Sequence, residues 1–119
     1  MADAVLPALI GALTRQVTFL EVRTPAQRGD YFEAVLSRGD LPTCENVLVA
    51  SLGQPVKAFG RPATLAPAHQ HSVNKLGGVR GNQCLFLKAM DASVVAYALL
   101  WPWESDPMRV TIKVGHFTA

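Results

Sequence analysis

The residues best suited to binding a ligand lie in a glycine-rich segment that spans positions 75 to 83 and has three glycines in five residues. Glycine allows positive φ angles and lets a ligand approach the backbone closely. Lys75 and Arg80 supply cations for a phosphate or carboxylate, and an arginine can make two parallel hydrogen bonds to such a group. One prediction is therefore an anion site formed by Lys75, Gly77, Gly78, Arg80 and Asn82.

The order of elements around this segment supports a second interpretation. A nucleotide phosphate loop leaves a strand and opens a helix, whose N-terminus attracts anions. In this sequence a helix is expected to end and a strand to begin. The C-terminus of a helix presents carbonyl groups, which attract Lys75 and Arg80 themselves. The segment can therefore also be a helix stop and a turn with no ligand.

The histidines at positions 69 and 71 invite a test for metal binding. Pro67 and Ala68 favour a helix here, and residues two apart on a helix point in nearly opposite directions. No cysteine or carboxylate stands at ligand spacing beside them. We predict no metal site, and we assign His69 to the wall of the glycine-rich ligand site.

Two tryptophans flank a proline at Trp101-Pro102-Trp103. Proline removes a ladder hydrogen bond, so Pro102 should end a strand or kink it at a sheet edge. The tryptophans can cover the core, or they can form a pocket wall or an interface anchor. We include Trp101 among the candidate ligand-binding residues.

No catalytic constellation is visible in the sequence. The G-x-S-x-G pattern is absent and the glutamates show no paired spacing. Cys44 and Cys84 lie in apolar sequence, where buried, unreactive thiols are expected. A triad assembled across the fold stays open, because its members need not be adjacent in sequence. We predict no cofactor and leave catalysis undecided.

Composition favours an assembly over a solitary chain. The 119 residues suit one domain. Only 17% of them are charged, against about 25% in typical soluble proteins. Apolar surface left uncovered usually marks a contact site, so we expect a homo-oligomer, most simply a dimer.

Charge and hydropathy exclude two classes of partner. The net charge is +2 and the basic residues form no run, so nucleic-acid binding is not expected. The apolar stretch from Ala4 to Leu13 is much shorter than the ~20 residues that span a bilayer. It also lacks the basic flank and the cleavage site of a signal peptide. We therefore expect a cytoplasmic protein with no membrane partner.

The first two thirds of the chain are expected to be mainly helical. Residues 3 to 15 predict a helix, or alternatively a disordered leader, and residues 17 to 23 predict a strand. A second helix is expected from Thr24 or Asp30 to Gly39, with Tyr31, Phe32, Val35 and Leu36 as its buried stripe. A third should run from residue 40 or 43 to residue 52. A connection that can include a short strand at 56–59 follows, and then a helix from Pro67 to Leu76.

The last third predicts three strands, at residues 83–90, 94–101 and 109–117, joined by short turns into an antiparallel meander. The segment 94–101 is apolar on both faces and should lie inside the sheet or at a subunit interface. In the last strand Val110 alternates with Thr111 and Lys113, which predicts one wet face.

The expected fold is a single α+β domain over residues 1–119, with helices on one face of an antiparallel sheet of about four strands. The expected function is a non-catalytic, oligomeric protein- or ligand-binding module. The alternative is a small enzyme or a receptor for an anion or phosphate ligand, centred on Gly77–Gln83.

Overall fold

The computed structural model describes residues 5–23, 31–60, 74, 82–90 and 94–118. Within these ranges two helices pack on a five-stranded antiparallel sheet, which confirms the α+β class with one strand more than expected. The strands follow the spatial order β1-β2-β5-β4-β3. The elements are α1 (Val5–Gln16), β1 (Phe19–Val22), β2 (Phe32–Ser37), a 3₁₀ helix (Arg38–Asp40), α2 (Leu41–Leu52), β3 (Cys84–Ala89), β4 (Val94–Pro102) and β5 (Arg109–Thr118).

The prediction of a helix that ends at Gly39 is wrong, because residues 32–37 form strand β2. This strand is an inner strand of the sheet, with β1 paired along one edge and β5 along the other. Phe32 on one face and Val35 on the other are each fully buried. A strand buried on both faces loses its apolar–polar alternation, and a short apolar run of this kind cannot be told from a helix by periodicity. Gly39 lies within the 3₁₀ helix and has no positive φ.

Helices α1 and α2 cover one face of the sheet and form the main core with it. The leading segment packs on its own domain, through Leu6, Leu9, Ile10 and Leu13. Helix α2 begins with proline in its first turn and ends at Gly53, whose φ is 83°. Glycine is the residue best suited to that left-handed position, so the predicted helix end at residue 52 is confirmed. The buried face of α2 consists of Cys44, Val47, Leu48 and Leu52.

The C-terminal meander is confirmed, since β3 pairs with β4 and β4 pairs with β5. Strand β4 is an inner strand and is apolar on both faces, as expected. On the face away from the helices, Leu85 and Leu87 are buried. Strand β5 has less wet surface than the alternation predicted, because Thr111 is only 1% exposed and Lys113 is half-buried.

The connection after α2 is fastened to β3 by one isolated bridge, between Lys57 and Leu85. The short strand suspected at residues 56–59 is therefore a single bridge. Lys57 is only 2% exposed. Its Nζ donates to the carbonyl oxygens of Ala58 and Gln83, at 2.8 Å each. The lysine thus ties this connection to the chain just before β3.

Two further predicted elements lie largely outside the described residues. Of the helix expected from Pro67 to Leu76, only Asn74 is described, and it is helical. The start signals at Thr24 and Asp30 also lie outside the described residues. No helix in the described ranges is long and apolar enough to cross a membrane.

Candidate functional site

A cleft of about 510 Å³ opens on the sheet face away from the helices, where the end of β4 meets the residues before β3. Pro102 is the last residue of β4, in keeping with its missing N–H. Beyond Pro102 the chain stays beside β5, because the Trp103 N–H donates a 2.9 Å hydrogen bond to the Arg109 carbonyl oxygen. The cleft, called the tryptophan cleft below, is lined by Arg23, Asn82, Gln83, Trp101, Pro102, Trp103, Glu104, Ser105 and Thr111.

Trp103 forms a fixed wall of the tryptophan cleft. Its Nε1 donates a 2.7 Å hydrogen bond to Oγ1 of Thr111, which explains why that polar side chain is buried. The guanidinium carbons of Arg23 and Arg109 lie 5.9 and 5.6 Å from its ring centroid. Both distances fall within the range of cation–π attraction. The indole is therefore held by one hydrogen bond and two cations.

Trp101 forms a second wall and is less constrained. It lies opposite Thr111 on the neighbouring strand, and Nζ of Lys113 lies 5.0 Å from its ring centroid. Within the described part of the chain, its indole N–H has no hydrogen-bond acceptor. This half-buried side chain thus brings an aromatic surface to the cleft together with a donor that a ligand can use.

A chain of polar contacts positions Arg23 at the tryptophan cleft. Its NH1 lies 3.4 Å from Oε2 of Glu33, and its Nε lies 3.6 Å from Oε2 of Glu21. Glu33 also accepts a 2.8 Å hydrogen bond from the Tyr31 hydroxyl. Burial pushes the pKa of Glu33 upward, but the Tyr31 hydrogen bond and the charges of Lys113 and Arg23 outweigh it and lower the pKa overall. Glu33 is therefore an ionised anchor for Arg23 at neutral pH.

The cations near the tryptophan cleft are largely matched by carboxylates. Arg23 contacts two glutamates, and Arg109 lies 3.2 Å from Oδ2 of Asp106. Glu104 adds a further negative charge to the lining. The described part of the cleft therefore presents mainly indole faces, amides and hydroxyl groups.

The structure brings together two of the predicted ligand-binding residues, Asn82 and Trp101, at this cleft. The other predicted site residues, His69, Lys75, Gly77, Gly78 and Arg80, lie outside the described residues.

The cleft residues that sequence reasoning missed include Arg23 and Thr111. The only local signal at Arg23 is its place two residues after Glu21 in extended chain, which puts both side chains on one face, where they form an ion pair. Thr111 gave no signal, because its alternation with Val110 placed it on a wet face.

Neither cysteine is suited to act as a nucleophile. Burial first, and then the nearby Glu45, Asp40 and Cys84, raise the pKa of the Cys44 thiol to about 12. Burial and Glu45 likewise raise the pKa of Cys84 to about 11. Both thiols are protonated at neutral pH, and the thiolate is the reactive form. Among the described residues, no group of three or more histidine, cysteine or acidic side chains is placed to hold a metal ion.

Comparison of the chain with models of protein families, with curated proteins and with solved structures found no match.

Proposed function

We propose that this protein is a non-catalytic binding module that holds its ligand in the tryptophan cleft and works as a homodimer. The observation that carries the proposal is that both tryptophans of the chain line one open cleft, beside the amides of Asn82 and Gln83. The protonated thiols of Cys44 and Cys84 favour binding over nucleophilic chemistry.

The lining indicates the chemistry of the ligand. Indole faces stack on planar groups, and amides with the Trp101 N–H supply directional hydrogen bonds. Ligand cavities measure roughly 300–1,000 Å³, so the cleft of about 510 Å³ suits a small molecule or one or two side chains of a protein segment. Because the nearby charges are matched, the favoured ligand carries a planar, uncharged polar group, such as an amide-bearing ring.

The alternative function, a receptor for an anion or phosphate ligand centred on Gly77–Gln83, involves the same cleft. Asn82 and Gln83 belong to that segment and both line the cleft. The two functions differ in the charge of the ligand, so one uncharged probe and one anionic probe can distinguish them. Benzamide represents a planar amide, and inorganic phosphate represents an anion.

Tryptophan fluorescence tests the proposal directly, because every tryptophan of the chain lies in the cleft. Benzamide should change the emission in a saturable way. The Asn82→Ala variant should bind it about fivefold more weakly, the value of one hydrogen bond of ~1 kcal/mol. Asn46→Ala is the matched control, since Asn46 is exposed on α2 and lies outside the cleft lining.

Three outcomes count against benzamide-type binding in the cleft. They are an emission that benzamide does not change saturably, equal weakening in the two asparagine variants, and a response to phosphate in place of benzamide. The last result would favour the anion receptor.

Self-association is proposed from the edge strand β1. Leu20 and Val22 on this strand are 53% and 49% exposed, which makes them two of the three large apolar side chains exposed in the described ranges. The Arg23 N–H donates to the Glu33 carbonyl oxygen on β2. Because backbone groups of successive residues in a strand point to opposite edges, the N–H and C=O of Val22 point away from β2. No described strand pairs with this edge of β1, and an apolar strand edge of this kind can accept a strand from a second copy. Size-exclusion chromatography with light scattering should show a dimer, and a monomer at high protein concentration would refute this part of the proposal.

A further inference from the structure

A second, smaller cavity lies on the helix side of the sheet and has none of its described lining residues in common with the tryptophan cleft. It measures about 280 Å³ and opens between α2, the connection after it, and β3. Cys84 and Phe86 form its floor, being 3% and 1% exposed. The remaining lining consists of Glu45, Val49, Gln54, Pro55, Ala58 and Phe59.

Among the described residues, the cavity lining is apolar apart from Glu45, Gln54 and the thiol of Cys84. Gln54 is exposed, so it belongs to the rim. Glu45 is half-buried and has no hydrogen bond or ion pair within the described part of the chain. Burial raises the pKa of this carboxyl group, which shows that its charged form is poorly solvated. A carboxylate in such a setting gains stability from a cation placed beside it.

We propose that this cavity binds a compact amine, with its apolar ring or chain against the half-buried Val49 and Phe59 and its ammonium group against the Glu45 carboxylate. The apolar walls supply the hydrophobic contact, and the carboxylate, which has no partner among the described residues, supplies the selectivity for a cation. Ligand cavities usually exceed about 300 Å³, so a cavity of about 280 Å³ restricts the ligand to about one ring. The site is separate from the tryptophan cleft and can bind its ligand whether or not the cleft has one.

Benzylamine is the probe, and benzyl alcohol is its uncharged counterpart of nearly the same size. Titrations followed by ¹H–¹⁵N NMR report both the affinity and the place of binding. Benzylamine should bind with a Kd of about 20 mM or tighter, as ordinary ligand efficiency allows for eight non-hydrogen atoms. It should bind about fivefold more tightly than benzyl alcohol, the effect of one exposed ion pair. The largest shifts should fall on the amides of Val49, Phe59 and Phe86.

Two matched variants test the role assigned to the carboxylate. Glu45→Gln should remove the preference for the amine, so that both probes bind with affinities within about twofold. Glu104→Gln removes an exposed carboxylate at the tryptophan cleft, where a cation could also meet an indole ring, and it should leave the preference intact. Ala58→Leu narrows the cavity and should weaken both probes.

The proposal is overturned by any of four results. These are no saturable shifts with benzylamine, equal binding of the two probes to the unmodified protein, an unchanged preference in Glu45→Gln, or shifts confined to the tryptophan cleft. The first three leave the proposed function of the cleft untouched, because they concern a different cavity.

Discussion

The buried Lys57 provides the sharpest test of how the tryptophan cleft is held in place. Its Nζ donates two hydrogen bonds to carbonyl oxygens, one of which belongs to the cleft residue Gln83. Lys57→Met keeps an unbranched apolar side chain of similar length but removes the ammonium group. The carbonyl oxygens of Ala58 and Gln83 then lose a charged donor in a region shielded from water.

The expected cost follows from two opposing contributions. A hydrogen bond to a charged group contributes about 1.5–3 kcal/mol, and Lys57 makes at least two of them, to Ala58 and Gln83. Burying an ammonium ion costs several kcal/mol in return. We expect Lys57→Met to lower the free energy of unfolding by about 2 kcal/mol and the Tm by about 8 °C, at about 4 °C per kcal/mol for a chain of this size.

Urea unfolding followed by far-ultraviolet circular dichroism measures the difference. Lys88→Met is the matched control, because the exposed Lys88 also donates to a backbone carbonyl, that of Ser51 at 3.2 Å. The Lys88→Met substitution should change the free energy of unfolding by no more than about 0.5 kcal/mol, as most surface substitutions do. A Lys57→Met protein as stable as the wild type would refute the reasoning, since the bonds would then no more than offset the burial of the charge.

Three other substitutions test separate contacts. Thr111→Val should cost about 1 kcal/mol of unfolding free energy, and a double-mutant cycle with Trp103→Phe should assign most of that loss to their hydrogen bond; additive effects would contradict the contact. Because the pKa of Glu33 is lowered in the folded protein, Glu33 stabilises the fold above the usual carboxyl pKa and loses this effect as the pH falls through the lowered pKa. Glu33→Gln should therefore flatten the acid limb of the pH–stability curve, and identical curves would rule the contribution out. Val22→Lys places a charge on the exposed edge of β1 and should convert the proposed dimer to a monomer in light scattering, whereas an unchanged mass would move the interface elsewhere.

The C-terminal half of the sheet could be predicted from sequence because its signals are local. Short turns separate β3, β4 and β5, and strands joined by short turns pair as neighbours. The end of α2 was likewise marked by Gly53, whose φ of 83° suits glycine. In each case the deciding residues lie within a few positions of the element they define.

The first half required information from distant parts of the chain. Strand β2 pairs along one edge with β5, which lies far along the chain, with Phe32 opposite Val114. The burial of Lys57 depends on Gln83, and the place of Arg23 depends on Trp103. None of these pairings leaves a pattern in the neighbouring sequence, so composition and periodicity could not reveal them.

The candidate site was predicted in part for the same reason. Asn82 was singled out by its place in the glycine-rich segment and Trp101 by its place beside Pro102, and the fold brings both to the tryptophan cleft. Thr111 was assigned to a wet face because alternation reports which face a residue is on and not what covers that face. The indole of Trp103 gives Thr111 its hydrogen bond.

The most direct test of ligand binding in the tryptophan cleft is a benzamide titration followed through the indole N–H signals in ¹H–¹⁵N NMR spectra. The chain has two tryptophans, so two such signals report on the cleft without interference. The account predicts that both signals move in a saturable way, together with the backbone amide of Gln83. Indole signals that stay in place while amides elsewhere move would contradict it.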